Sequence, residues 1–173
     1  MSTIIDGSAG VTTNIGAVYN GIQTATAQAS TSGTSIDFTS IPSWVKRITI
    51  MFNAVSTSGS SSVQIQLGTG STTYTTSGYA GSNSYGTTVS SNSAGFIVHA
   101  NIGAATLASG IVVLTNVSGN IWAQAGSIGA ASSSVSVSGG SITLAATLTA
   151  VRITTAGGTD TFDAGSINIL YEG

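Results

Sequence analysis

Few side chains in this chain could do chemistry. The titratable groups are His99, five carboxylates (Asp6, Asp37, Asp160, Asp163, Glu172) and three cations (Lys46, Arg47, Arg152), and there is no cysteine. A nucleophilic triad would need His99 as its base. His99 falls inside an alternating stretch, 94–101, on the face opposite Phe96 and Val98, and no G-x-S-x-G elbow occurs. A lone histidine so placed reads as a structural or interface residue. Glycoside hydrolysis needs two carboxylates about 5–9.5 Å apart across a cleft, and one chain holds too few acids to supply them. Asp160 and Asp163, in TDTFDAG, could help chelate a hard cation, but two carboxylates are thin for that and turn capping accounts for them. Asp37 or Asp163 is expected to pair with Arg47 or Arg152, because charges this sparse in a β core are rarely left single. Gly68-Thr69-Gly70 has no strand–turn–helix context and no nearby lysine, so it is not a phosphate loop. The sequon Asn116-Val117-Ser118 sits at a tight hairpin and reads as coincidence. The expectation is no catalytic residue, no metal and no cofactor.

Two groups of residues suggest binding instead. Tyr74, Tyr79 and Tyr85 lie in a stretch, 68–92, otherwise rich in Ser, Thr, Gly and Asn. Tyrosine offers apolar area with a polar tip, which suits contact with carbohydrate or protein. The competing reading packs these rings into the core or a subunit interface, and it carries more weight. Ile15, Val18, Tyr19 and Ile22 fall at i, i+3, i+4 and i+7, a helical face of about two turns. Gly16 and Gly21 weaken that helix. A helix this short needs a partner, so residues 1–30 read as an attachment or oligomerisation arm.

Composition narrows the partners. Only 5% of residues are charged, against roughly 25% in an average chain. Three basic residues cannot neutralise a row of phosphates, which sets nucleic acid aside. No run approaches the ~18 apolar residues of a membrane span, and none inserts by this reading. The first basic residue is Lys46, so the positively charged start of a secretory signal is missing and export by that route is not expected. A surface of hydroxyls and amides with a net charge of -2 favours association. The chain is expected to be an obligate oligomer or part of a larger assembly.

The elements that position these residues are strands. Residues 41–55, IPSWVKRITIMFNAV, alternate from Trp44 on, with Trp44, Lys46, Ile48, Ile50 and Phe52 on one face. That is a long strand with one buried side, entered at Pro42, which cannot donate to a ladder. Ser35–Phe38 is a short strand before it. Val63, Ile65 and Leu67 alternate with Gln64 and Gln66 as a half-buried strand. Residues 111–117 and 120–125 flank a Ser118-Gly119 hairpin turn. Gly139-Gly140 and Gly157-Gly158 read as further turns, and 166–171 closes the chain with Ile167, Ile169 and Tyr171 on one face. About eight regularly spaced strands make residues 31–173 an all-β, jelly-roll-like antiparallel sandwich.

Three stretches carry a family resemblance. TSIDFTSIPSWVKRITIMFNAVSTSGSSSVQIQLG (34–68), GNIWAQAG (119–126, after a strand ending TNVSG) and VRITTAGGTDTFDAGSINILYEG (151–173) resemble the opening, middle and end of a β-rich module of tailed-bacteriophage virion proteins, often found at the C-terminal end of tail fibres. The resemblance implies a virion component, a homotrimer with its β-domain outward, joined through its N-terminal region to other virion proteins of tail or capsid. It carries no active-site residues. Host-surface glycan is the contact it suggests for the tyrosines. In this sequence about thirty residues precede the module and the usual long shaft is missing. A short tail or head fibre is expected, with a capsid decoration protein as the alternative.

Overall fold

The computed structural model describes residues 4–6, 10–12, 18–19, 21–100, 103–104, 106–131 and 134–173. The described residues form strands and connections, with no helix among them. In chain order, β1 (Ile4–Asp6), β2 (Gly10–Thr12) and β3 (Val18–Tyr19) make a small antiparallel sheet of their own. They are followed by β4 (Gln23–Thr24), β5 (Gln28–Ala29), β6 (Ser35–Phe38), β7 (Arg47–Thr57) and β8 (Val63–Gly68). Next come β9 (Ala80–Tyr85), β10 (Thr88–Ser90), β11 (Phe96–His99) and β12 (Ala108–Ser118). The chain ends with β13 (Ile121–Ala130), β14 (Ser134–Thr143), β15 (Ala150–Thr155) and β16 (Phe162–Glu172).

Two antiparallel sheets enclose the core. The larger runs β10-β9-β14-β13-β12-β7-β16, with β4 and β5 both paired along the outer edge of β16. The smaller runs β11-β8-β15-β6. Ile48, Ile50 and Phe52 of β7, Val112 and Leu114 of β12, and Ile167 and Ile169 of β16 face inward from the large sheet. Ile65, Leu67, Val151 and Ile153 meet them from the small one. Alternation puts every second residue of these strands on the other side, so one period-2 pattern builds both the core and an outer surface.

Strand β7 is an interior strand of the large sheet, paired with β12 on one side and β16 on the other, as its length and pattern suggest. Its pattern begins later than expected. Trp44 and Lys46 do not share the buried face of Ile48; Val45 is the buried residue, Lys46 is exposed and Trp44 is half-buried against Tyr171. The cause is a turn in which the Val45 N–H donates to the Pro42 carbonyl at 3.1 Å, which resets the facing before β7 starts at Arg47.

Other expectations are corrected by neighbours. Strand β8 is buried on both faces, Gln64 and Gln66 included, because residues 92–95 roof its outer side. The β12–β13 turn falls one residue later, at Gly119-Asn120, with Gly119 at φ 50°. Gly139-Gly140 is not a turn: β14 runs through it. These glycines serve close approach, since a Cβ on Gly140 would lie 2.6 Å from the Ala80 carbonyl oxygen and from the Gly81 Cα of β9. Strands β9 and β10 occupy the weakly patterned stretch 68–92, where AGSNSY offers no apolar alternation to announce a strand. Gly157-Gly158 does turn the chain, both at positive φ.

The described residues of the face expected over 15–22 form no helix: Val18–Tyr19 is strand, and Gly21 and Ile22 lie in the connection before β4. That strand, β3, pairs with β2, while Ile15 lies outside the described residues. Glycine, threonine and serine spacing lowers helix propensity enough for local pairing to win. Further along, residues 21–30 lie against the sandwich: the Ser30 N–H donates to the Gly165 carbonyl at 3.0 Å and its hydroxyl to the Ala164 carbonyl at 2.7 Å, with Ser30 buried.

Candidate functional site

The outer side of the small sheet gathers several polar side chains that are held in fixed positions. Arg152 on β15 faces outward between Asp37 of β6 and Gln66 of β8, its partners in register. The Asp37 carboxylate accepts from Arg152 Nε at 2.8 Å and from Nη2 at 2.7 Å, a bidentate ion pair. The Arg152 Cζ lies 4.0 Å from the centroid of the Tyr74 ring, so the guanidinium is clamped between a carboxylate and an aromatic face. The hydrogen bonds to Asp37 hold the Arg152 pKa above its ordinary value, and the guanidinium stays charged. Burial first, and the neighbouring Asp37 carboxylate second, raise that of Tyr74.

Beside this clamp lies an open cleft of ≈ 340 Å³, bordered by Gln64, Gln66, Ala94, Arg152 and Thr154, with Gly157-Gly158 at one end. The amides are locked. Gln66 Nε2 donates to the Ala94 carbonyl at 2.9 Å, and Gln64 Oε1 accepts from Asn92 Nδ2 at 2.9 Å. The Thr154 hydroxyl donates to the Thr34 carbonyl at 2.8 Å. The cleft therefore offers amide and hydroxyl groups and one internally neutralised charge. Such a lining can hydrogen-bond a neutral polyhydroxyl compound, while an anion would have to compete with Asp37 for Arg152.

The three tyrosines separate. Tyr74 forms the wall of the clamp and bridges in backbone register to Gly68. Tyr79 is buried: its ring stands edge-on to Phe96 at 4.8 Å and 89°, and its hydroxyl accepts the Leu67 N–H at 2.7 Å. Burial pushes its pKa up to about 12. Tyr85 is half-buried against the His99 ring at 5.3 Å. Of the three, only Tyr74 adjoins the cleft residue Arg152. Of the arm residues, Val18 and Tyr19 belong to β3 and Ile22 is exposed, beside Thr49, Arg47 and Leu170.

Compared with models of protein families, with curated proteins and with solved structures, the chain matches none. The likeness to fibre modules rests on the three quoted stretches alone.

The remaining titratable groups are spread apart. Among the described residues no three His, Cys, Asp or Glu side chains cluster. Asp160 Oδ2 accepts the Ser61 N–H at 2.9 Å, which ties two connections together, and Asp163 accepts the Ser56 hydroxyl, which ties the start of β16 to the end of β7. Arg47 pairs with Glu172 at 3.1 Å on the surface. Asn116, the sequon residue, braces its own hairpin by donating to the Gly119 carbonyl at 2.9 Å and the Ile121 carbonyl at 3.2 Å.

His99 is buried, with its Nδ1 2.9 Å from the Ala100 carbonyl, which assigns the proton to Nδ1. Its Nε2 has no partner. Burial lowers its pKa below the ordinary 6.5. The folded state thus binds the proton less readily than the unfolded chain, so the neutral ring's contribution is fully present above pH 6.5 and is lost as pH falls below it. Urea midpoints should therefore drop between neutral pH and about pH 5, and His99→Gln should flatten part of that drop. An unchanged slope in the variant would remove His99 from the account.

Nearby, Asn83 of β9 donates to the Val98 carbonyl at 3.2 Å and to the Ser136 hydroxyl, and Gln124 donates to Ser138 at 2.8 Å. This polar inner layer was not anticipated. Its signal in the sequence is the serine alternation of SVSVS, which reads equally well as an exposed face.

Proposed function

We propose that the chain is a non-enzymatic structural component of a tailed-bacteriophage particle. It forms a short homotrimeric fibre, attached by the region before Gly21 and displaying a jelly-roll-like β-domain. The observation that carries this reading is where the resembling stretches fall. Residues 34–68 supply β6, β7 and β8, while 151–173 supply β16 and all but the first residue of β15. These strands pair with each other as β7 with β16, β8 with β15 and β15 with β6. The two ends of the module, over eighty residues apart in sequence, thus close into one unit spanning both sheets. The chain passes between the two sheets repeatedly, at β7 to β8 and β15 to β16 among other places, and such exchange of strands between sheets supports a jelly-roll-like path. The polar cleft beside Tyr74 is the place such a fibre would touch a host-surface glycan, by amide and hydroxyl hydrogen bonds.

A capsid decoration protein is the second reading, favoured by the broad uncharged outer side of the large sheet, which suits close-packed neighbours. A chain beginning at Gly21 keeps β4, β5 and Ser30 on β16, and should fold as the full chain does yet fail to join particles. Particles that incorporate it at the normal level would overturn attachment through the first twenty residues. A copy number in the hundreds would favour decoration over a fibre.

A further inference from the structure

The outward side of the large sheet is the least explained surface of the molecule. One register row across it reads Val137, Ser127, Ile111, Met51 and Asn168. The next reads Gly139, Ala125, Val113, Thr49 and Leu170. Neither row contains a charge or an aromatic ring. Ile111 is 52% exposed, Val137 55% and Val135, one step along β14, 62%. At one end the face is bounded by the Arg47–Glu172 ion pair, and at its β16 edge by exposed Ile22. Single exposed valines need no explanation, but Val135, Val137, Ile111, Met51, Val113 and Leu170 gathered on one charge-free sheet face do.

We infer that this face is covered by a second copy of this chain, sheet packed on sheet. The inference rests on the proposed multi-copy assembly and names its surface. Size supports it. Five strands at ~4.8 Å spacing and ladders of about nine residues at ~3.4 Å give roughly 700 Å², close to the ~800 Å² per partner of a standard stable interface. Chemistry chooses the occupant. Alanine, glycine, serine and threonine between the larger side chains keep the face flat, and apolar layers from two sheets interdigitate about 10 Å apart. With no charge in either row, neighbouring copies pack along this face without like-charge opposition, and nothing on it would select a differently charged partner. A lipid surface is disfavoured, because the rows lack the basic and aromatic side chains that sit at head groups.

The test uses the full chain at micromolar concentration. Sedimentation should give a multiple of the chain mass, and Ile111→Glu or Val137→Glu should reduce it to a single chain mass. Thr72→Glu, exposed in the connection that follows β8 of the small sheet, should leave it unchanged. The chain has no cysteine, so Ser127→Cys at the centre of the face should cross-link to a second chain with a short bismaleimide. If the glutamate variants precipitate, that cross-link decides. A wild-type chain that sediments as a monomer overturns the inference, and so does an oligomer that survives both glutamates and leaves Ser127→Cys uncross-linked. In the latter case the multi-copy reading stands and only its surface is wrong. A monomer whose binding to particles is abolished by Ile111→Glu would mean that a different virion protein covers the face.

Discussion

Gly165→Ala is expected to abolish the cooperative fold. Gly165 sits in the second of two irregularities in the β7–β16 register, between Ala164 and Ser166, at φ 89°. A Cβ there would lie 2.5 Å from the Asn53 carbonyl oxygen and would also strike the carbonyl of Ala54. Both obstacles are backbone, held by the ladders on either side of β7, so no rotamer change relieves them. Ala54 itself is at φ 52°, with its N–H donating to the Ser109 hydroxyl at 2.9 Å, so the opposing strand is already bulged. Left-handed backbone alone costs an alanine about 1–2 kcal/mol, and the clash should raise the total to at least about 4 kcal/mol. That is a large part of the ~5–15 kcal/mol that holds a domain together. Gly157→Ala is the control: its φ is 98° but nothing lies near a Cβ, so it should lose only about 1–2 kcal/mol. Soluble yield and urea midpoints report both. Equal losses would mean that close approach of β7 and β16 is not what Gly165 serves.

Tyr79→Ala should be nearly as damaging. It removes the ring that stands edge-on to Phe96 between the sheets and strips the Leu67 N–H of its acceptor. Truncating a buried aromatic costs about 3–5 kcal/mol. Tyr79→Phe keeps the ring and should lose about 1–3 kcal/mol for the orphaned donor alone. With its pKa near 12, the phenol stays neutral through ordinary conditions, so both losses should be independent of pH from neutral to mildly alkaline. The comparison bears on function. If particle adsorption falls with Tyr79→Ala, it should fall in proportion to the folded fraction. A stable Tyr79→Ala chain with weak adsorption would instead return this residue to the receptor surface.

Legibility followed side-chain contrast. Strand β6, the core of β7 and the β16 pattern of Ile167 and Ile169 could be read directly, because apolar and polar residues alternate where one side is buried. The Asp37–Arg152 pair was among the few pairings that so sparse a set of charges allows. Alternation fails where both sides of a strand are covered or the strand is polar. Gln64 and Gln66 look solvent-facing, yet a roof formed by distant residues buries them. AGSNSY makes a strand because Asn83 and Gly81 fit against β14, a tertiary cause with no local mark. Gly139-Gly140 carries the usual sign of a turn, but glycine also permits close backbone approach, and only the neighbour on β9 decides between the two. Tyr74 and Tyr79 stand five residues apart in one serine-rich stretch. One walls a surface clamp and the other is core, a split set by the bridge at Gly68 and the folding-back of the chain onto β8.

The most direct measurement is imaging of purified particles from cells that make this chain, labelled with an antibody against residues 31–173. The account predicts label on particles, at the tail or on sparse projections, with the β-domain accessible. Label spread evenly over the shell would move the chain to the decoration reading. Label confined to soluble protein, with particles bare, would contradict a virion role altogether.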